Sequence, residues 1–259
     1  MKTLPYSIAL LALLVATPRA DALVYDLTTQ STVAVATNYG TAIFTTDFTQ
    51  PAGTGVIDPF LSIQANGTEQ GYNTSAGAFD TKREPQYNHE VRLSDLTKVT
   101  IAGTEYYSFL LDINEPNSAN KSQISFDALK IYTSSTAGQT TTNIDSLGTK
   151  RFDLDLPTDN YILYDDLNSG SGQADIAFFI PTASFLTGPN AASANDYVYM
   201  YQLFGAHVAA DFNGSTQGGF EETAIASARP VPEVASLLPL AGVLGMALGV
   251  HQLRRRRSA

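Results

Sequence analysis

The sequence predicts an all-β fold, an antiparallel β-sandwich of jelly-roll type with a barrel as the alternative, flanked by a signal peptide and a single C-terminal transmembrane helix. Three observations predict the body of it. The stretch from Leu23 to Ala226 is rich in Thr, Ser, Asn, Gly and Tyr, the composition of pleated strands and tight turns. No long stretch of it repeats its apolar residues with the 3.6-residue period of a helix. About ten short β-like runs follow one another instead, with turn residues between them.

Taken in order, the runs are STVAVAT, TAIFTTDF, FLSIQA, HEVRLS, KVTIAG, EYYSFLLDI, QISFDALKIYT, RFDLDL, YILYDD, ADIAFFIP and DYVYMYQLFGAHVAAD. RFDLDL alternates: Phe152, Leu154 and Leu156 face one side, Asp153 and Asp155 the other. SFLLDI and IAFFIP are apolar on both faces, as central strands are. Turn signals punctuate the series at Gly53-Thr54-Gly55, Asn66-Gly67, Ala102-Gly103, Asn168 to Gly172, Gly188-Pro189-Asn190 and Asn213-Gly214. Thr133 to Thr149, rich in Ser, Thr and Gly, reads as a long exposed loop. No repeat recurs at a fixed period, and one domain of 23–226 accounts for the whole series.

The chain has 259 residues, no Cys and no Trp, and a net charge of −10. Its charges are uneven. Leu23 to Val231 holds 9 Lys and Arg against 23 Asp and Glu, a net charge of −14. So acidic a body is repelled by phosphate backbones and excludes nucleic acid as a partner. The lack of Cys excludes a thiolate nucleophile and every thiolate metal site.

The two ends carry targeting chemistry. Lys2 precedes an apolar run, Ile8 to Ala16, too short to cross a bilayer. Ala20-Asp21-Ala22 places small residues at the two positions a signal peptidase reads, so 1–22 is a signal peptide and the mature chain starts at Leu23. After a tether at 227–233 comes the apolar segment 234–253, twenty residues long and able as a helix to cross a hydrocarbon core of about 30 Å. Arg254, Arg255, Arg256 and Arg257 follow in the basic tail 254–259, which the positive-inside rule keeps cytoplasmic. The acidic body then lies outside. Gly245 and Gly249 have the spacing at which two membrane helices approach closely.

Pro232-Glu233, one apolar helix and an arginine cluster, in that order, resemble the PEP-CTERM sorting signal of Gram-negative bacteria. The family motif is Pro-Glu-Pro; this chain has Val234 at the third position. The resemblance covers about the last 29 residues, beside the signal peptide upstream. It implies export, processing by an exosortase that supplies its own catalytic Cys, and release to the cell surface or the extracellular matrix. The body, in the order GTGVIDPFLSIQANGTEQGYNT, LLDINE, ISFDALKIY and GGFEETA, is similar to bodies of other such substrates; this adds context and no activity.

Within the body, chemistry is sparse. His89 and His207 are its only histidines, far apart and in no zinc or triad motif; His207 reads as a satisfied sheet residue. Ser118-Ala119-Asn120-Lys121 has bare S-x-x-K spacing and reads as a polar loop, since its companion elements are missing. The N-x-S/T triplets at Asn66, Asn73, Asn120 and Asn213 read as turn chemistry. Carboxylates are plentiful. Asp112, Glu115, Asp153, Asp155, Asp165, Asp166, Glu221 and Glu222 are candidates for the pair a glycosidase needs. Calcium, which takes six to eight oxygens, is the more reasonable ligand, with Asp112, Asn114 and Glu115 as its candidate site and Asp165-Asp166 with Asn168 as a second cluster. No EF-hand or nonapeptide repeat accompanies them.

The sequence therefore predicts a non-catalytic, exported surface or biofilm-matrix protein with no obligatory cofactor. Its partners are signal peptidase, the export machinery, exosortase and exopolysaccharide. A secreted carbohydrate-active enzyme and a calcium- or glycan-binding module are the alternatives.

Overall fold

A chain built of β-branched and aromatic residues, with Gly, Asn and Pro at the breaks, has little choice but to pair its strands. The computed structural model describes residues 22–49, 57–116, 118, 121–165, 172–209 and 212–226. Its regular structure is nearly all strand. In chain order these are β1 (Leu23–Asp26), β2 (Thr32–Thr37), β3 (Gly40–Thr45), β4 (Pro59–Ile63), β5 (Asn66–Gly67), β6 (Glu69–Tyr72) and β7 (Val91–Arg92). Then come β8 (Lys98–Ile101), β9 (Thr104–Ile113), β10 (Gln123–Ser134), β11 (Thr149–Asp153), β12 (Asn160–Asp165) and β13 (Ile176–Pro181). A four-residue helix, α1 (Ala183–Leu186), precedes β14 (Tyr197–Phe204), β15 (Val208–Ala209), β16 (Phe212–Asn213), β17 (Thr216–Gln217) and β18 (Glu221–Ile225).

Two seven-stranded sheets contain most of these. The first runs β1-β12-β10-β14-β6, with β11 also on β10 and β7 also on β14. The second runs β2-β3-β13-β9-β18-β4, with β8 also on β9. Pairing is antiparallel throughout both sheets except at one edge, where β1 runs parallel to β12. The ribbons β15-β16 and β5-β17 stand apart from the two sheets.

The sheets face each other across a single large apolar cluster. Phe44, Phe109 and Phe178 from the second sheet meet Phe126 and Phe204 from the first. The rings of Phe44 and Phe126 are 6.1 Å apart and edge-on, and Phe178 stacks on Phe109 at 5.1 Å. This is the arrangement that gives aromatic pairs an extra attraction beyond burial. The runs apolar on both faces, β13 and the second half of β9, lie side by side in the middle of the second sheet and are buried along their whole lengths. The second apolar face they present is covered too, by Ile43, Ile57, Val99 and Ala226 among others.

The outer face of the first sheet is a layer of tyrosines, Tyr72, Tyr132, Tyr199 and Tyr201, all buried. The segment read as an exposed loop lies against them: β10 continues to Ser134, and the turns that follow bury Leu147 completely. Tyr72 donates to the Thr141 carbonyl at 3.0 Å, Tyr199 to that of Thr136 at 2.8 Å and Tyr132 to the Asp145 carboxylate at 3.1 Å.

Two further local expectations change. RFDLDL does not alternate to its end, because β11 stops at Asp153; Leu154 is buried, whereas Leu156 is 37% exposed. The last run is broken at Gly205, where a side chain would collide with the Gly67 carbonyl, so β14 and β15 are separate strands. The turn at Ala102-Gly103 is a hairpin between β8 and β9, with φ of 47° and 81°, the left-handed pair a two-residue connection of matching twist requires. The signal-peptide residues through Asp21, Ala20 included, and the whole stretch from Ser227, with Pro232, Glu233 and Arg254 to Arg257, lie outside the described residues. Among the described residues no helix is long and apolar enough to cross a membrane.

Candidate functional site

The residues read as a calcium site are close in sequence, but the strand ends beneath them and their side chains part. Asp112, buried on β9, accepts the Gly172 amide at 2.6 Å and lies near the Asn114 amide. Burial pushes the Asp112 carboxyl up to about 7; the Gly172 N–H opposes this, and the charge of Asp175 adds to it. Asn114, just past β9, donates to the Phe220 carbonyl at 2.9 Å. Glu115 turns elsewhere: both its oxygens accept the Gln217 amide, at 3.0 and 2.9 Å.

That turn brings Glu115 to two other glutamates. β18 alternates, so Glu221 and Thr223 are buried between the sheets while Glu222 turns to the other face. Thr223 donates to Gln202 of β14 at 2.9 Å, a buried bond across the sandwich. Glu222, half-buried, accepts from Ser62 at 3.3 Å and feels the charge of Lys82. Glu221, with none of its surface exposed, is in contact with Glu69 at the start of β6 and with Glu115. The trio thus joins the first sheet, through Glu69, to the second, through Glu221. Glu69 accepts the Ala65 amide at 2.7 Å with one oxygen. Its other oxygen and both oxygens of Glu221 are buried with no hydrogen-bond donor from another residue type. Burial drives all three carboxyls above the ordinary range. The charges of Glu69 and Glu115 push Glu221 higher still, whereas its contact with them favours their ionised forms. Among the described residues no three His, Cys, Asp or Glu side chains stand in the arrangement of a metal centre.

Gly219 shapes this corner. A side chain there would run into the Asn114 carbonyl, so the chain can pass close beside the end of β9 only without one. The tight pass sets Glu115 beside Gln217 and Glu221.

The paired-acid candidates otherwise scatter. Asp153 binds Lys150 at 2.8 Å; Asp155 faces Lys130 at 3.7 Å, with burial pushing it up to about 7. Asp165 accepts from Ser122 and lines a cleft of 570 Å³ together with Phe48, Tyr164, Gln173, Asp175 and several threonines. Asp166 and Asn168 lie outside the described residues.

His207 lies in the turn between β14 and β15 rather than in a strand, and there it is partnered. Its Nδ1 meets the buried carboxylate of Asp127, and its ring stacks on Tyr161 at 3.7 Å. Ser125 completes the group, but its hydroxyl donates to Asp127 at 2.9 Å rather than to the imidazole. A serine nucleophile needs the histidine to take its proton, so this trio fixes the turn after β14 and does not activate Ser125. His89 is bound locally to the Pro85 carbonyl at 2.9 Å.

Two of the three glutamates were visible in the sequence. Glu115 and Glu221 stood among the acids; Glu69, in the polar run EQGY, carried no signal. Comparison of the chain with protein-family models, with curated proteins and with solved structures finds no match.

Proposed function

We propose that this chain is a non-catalytic β-sandwich protein of the bacterial cell surface or biofilm matrix, exported by its signal peptide and sorted through a PEP-CTERM signal by an exosortase. The observation that carries the reading is the order of segments: signal peptide, acidic body, Pro232-Glu233, apolar helix, Arg254 to Arg257. The fold supports it. Among the described residues the first strand begins at Leu23, where cleavage after Ala22 would start the chain, and the last ends at Ile225, short of the tether. Both seven-stranded sheets thus lie between the two processing points, and removing either end takes none of their strands away. Before sorting, the C-terminal helix anchors the body outside the inner membrane.

Fractionation tests this. With all four arginines replaced by Ser, more full-length protein passes the inner membrane. With Pro232 and Glu233 replaced, the protein stays in that membrane, unprocessed. Wild-type distribution of both variants in a host carrying exosortase contradicts the reading.

A second reading is favoured by the 570 Å³ cleft. One partly exposed aromatic ring, Phe48, beside the acidic and amide groups of Asp165 and Gln173, offers the kind of groups that stack on and hydrogen-bond a sugar. Binding of the purified protein to matrix polysaccharide, abolished by Phe48→Ala, is the expected result; binding unaffected by that change rejects the cleft.

A further inference from the structure

Three carboxyl groups in contact inside a protein pose a problem of charge and of hydrogen bonding together. An ionised carboxylate only accepts hydrogen bonds. Glu115 is supplied by Gln217 and one oxygen of Glu69 by Ala65, which leaves Glu69 Oε1 and both oxygens of Glu221 without a donor. Ionised, Glu221 would press two unsolvated oxygens against two other anions, the costliest way to bury a polar group. Among the described residues no lysine, arginine or histidine is one of the groups acting on the three. The charged group facing them from the turn after β6 is another acid, Asp80, whose carboxylate already accepts the Gln70 amide at 2.9 Å. From β18 itself Glu222 points to the opposite face, and on β9 Asp112 lies with it rather than with the trio. From β17, Thr216 and Gln217 bring no charge.

We propose that Glu221 is held as a neutral carboxylic acid whose hydroxyl donates to one of the two glutamates beside it, so that the trio forms a proton-operated clasp between the two sheets. One proton turns an unsupplied acceptor into a donor and removes one of three like charges. The clasp also fixes one end of the β5-β17 ribbon, because Glu69 holds Ala65 beside β5 and Glu115 holds Gln217 of β17, which pairs with Asn66. A group whose folded pKa lies above its unfolded value adds most stability while the proton is retained, and that stability is lost as pH rises from about 4.5 towards the folded value. The protein is therefore most firmly closed in mildly acidic surroundings and loosens at this corner as they turn alkaline.

The test is thermal unfolding of the purified full-length protein from about pH 5 to about pH 8, in wild type, Glu221→Gln and Glu222→Gln. The amide introduced by Glu221→Gln copies the neutral acid in shape and carries its own donor. The expected result is a melting temperature about 3–6 °C above wild type at the alkaline end, with a visibly flatter pH slope, while Glu222→Gln, which removes a carboxyl that burial raises less and that stands apart from the trio, flattens the slope less than Glu221→Gln does. Should Glu221→Gln not fold, Glu69→Gln carries the same expectation of a flattened slope. A slope unchanged by the substitution, or a variant less stable than wild type at every pH, overturns the proposal. So does a melting temperature that calcium chloride raises in wild type but not in Glu221→Gln, for then the three glutamates take a cation in place of the proton.

Discussion

Two polar regions of this protein are buried with opposite outcomes. On the outer face of the first sheet lie four buried tyrosines, and each hydroxyl has an acceptor: for Tyr72, Tyr132 and Tyr199 these are Thr141, Asp145 and Thr136 in the turns that follow β10, and for Tyr201 it is Gln70 of β6 at 2.7 Å. At the start of β18, three glutamates lie together and three of their oxygens have no donor. Both regions are shielded from water, and burial moves both sets of groups upward. Tyr72, Tyr199 and Tyr201 are pushed up to about 12, further from neutrality, so their state never changes in ordinary surroundings. Burial moves the glutamates the other way in effect, from well below neutrality upward: Glu115 is pushed up to about 7, and Glu69 and Glu221 are raised with it. Burial by itself thus makes a fixed layer from a weak acid such as tyrosine and a responsive corner from a stronger one such as glutamate.

Substitutions can break or sharpen the contrast. The largest effect is expected from Tyr199→Ala, which empties a fully buried ring site beside Tyr72; a loss of about 3–5 kcal/mol, read from denaturant unfolding, is the outcome for a large aromatic. Gly219→Ala comes next. It forces the chain away from Asn114 and pulls Gln217 off Glu115, and should cost about 1–3 kcal/mol as an overpacked site does. It should also weaken the pH dependence, which Tyr199→Ala should leave in place. Tyr199→Phe is smaller. It removes only the bond to Thr136, for about 0.5–1.5 kcal/mol, and the loss should be the same at about pH 5 and about pH 8, since tyrosine stays protonated across that range. Least of all is expected from Glu222→Gln, within about 0.5 kcal/mol in the same unfolding experiment, because its carboxylate is half-solvated and weakly held.

Asp112 and Asp155 reinforce the glutamates. Each is pushed up to about 7 by burial. With folded values above the ordinary aspartate value near 4, both make stability fall as pH rises from about 4 to about 7. The part of the slope due to the trio is therefore the difference between wild type and Glu221→Gln, not the whole slope.

The same contrast explains what the sequence made legible. Strands whose burial is apolar announced themselves: β2, β3, β9, β10, β13 and β14 follow the predicted runs, because alternation and β-branched residues are local properties. The tyrosine layer was half legible, since Tyr fits a strand, but nothing local says that a Ser- and Thr-rich loop folds back over it. β18 was missed although it is interior to the second sheet, between β9 and β4. Its sequence, EETAI, looks solvated, and the burial of Glu221 is decided by β6 and by the chain after β9, both distant in sequence. β1, β6 and the parallel pairing of β1 with β12 escaped for the same reason. Among the acids, the calcium reading put Asp112 and Asn114 on one strand face with Glu115 at the strand end. The end of β9 at Ile113 releases Glu115 from the strand's alternation and sends it to a different neighbourhood.

Infrared spectroscopy of the purified protein at neutral pH bears most directly on the buried glutamates. A carboxylic acid and a carboxylate absorb at well-separated carbonyl frequencies, so a difference spectrum of wild type minus Glu221→Gln isolates the state of one residue. We predict a positive band of a neutral, hydrogen-bonded carboxylic acid that disappears as the pH is raised. A carboxylate band in its place, present from the acidic end of the range upward, would mean that Glu221 is buried as an ion and would contradict a proton-operated clasp between the two sheets.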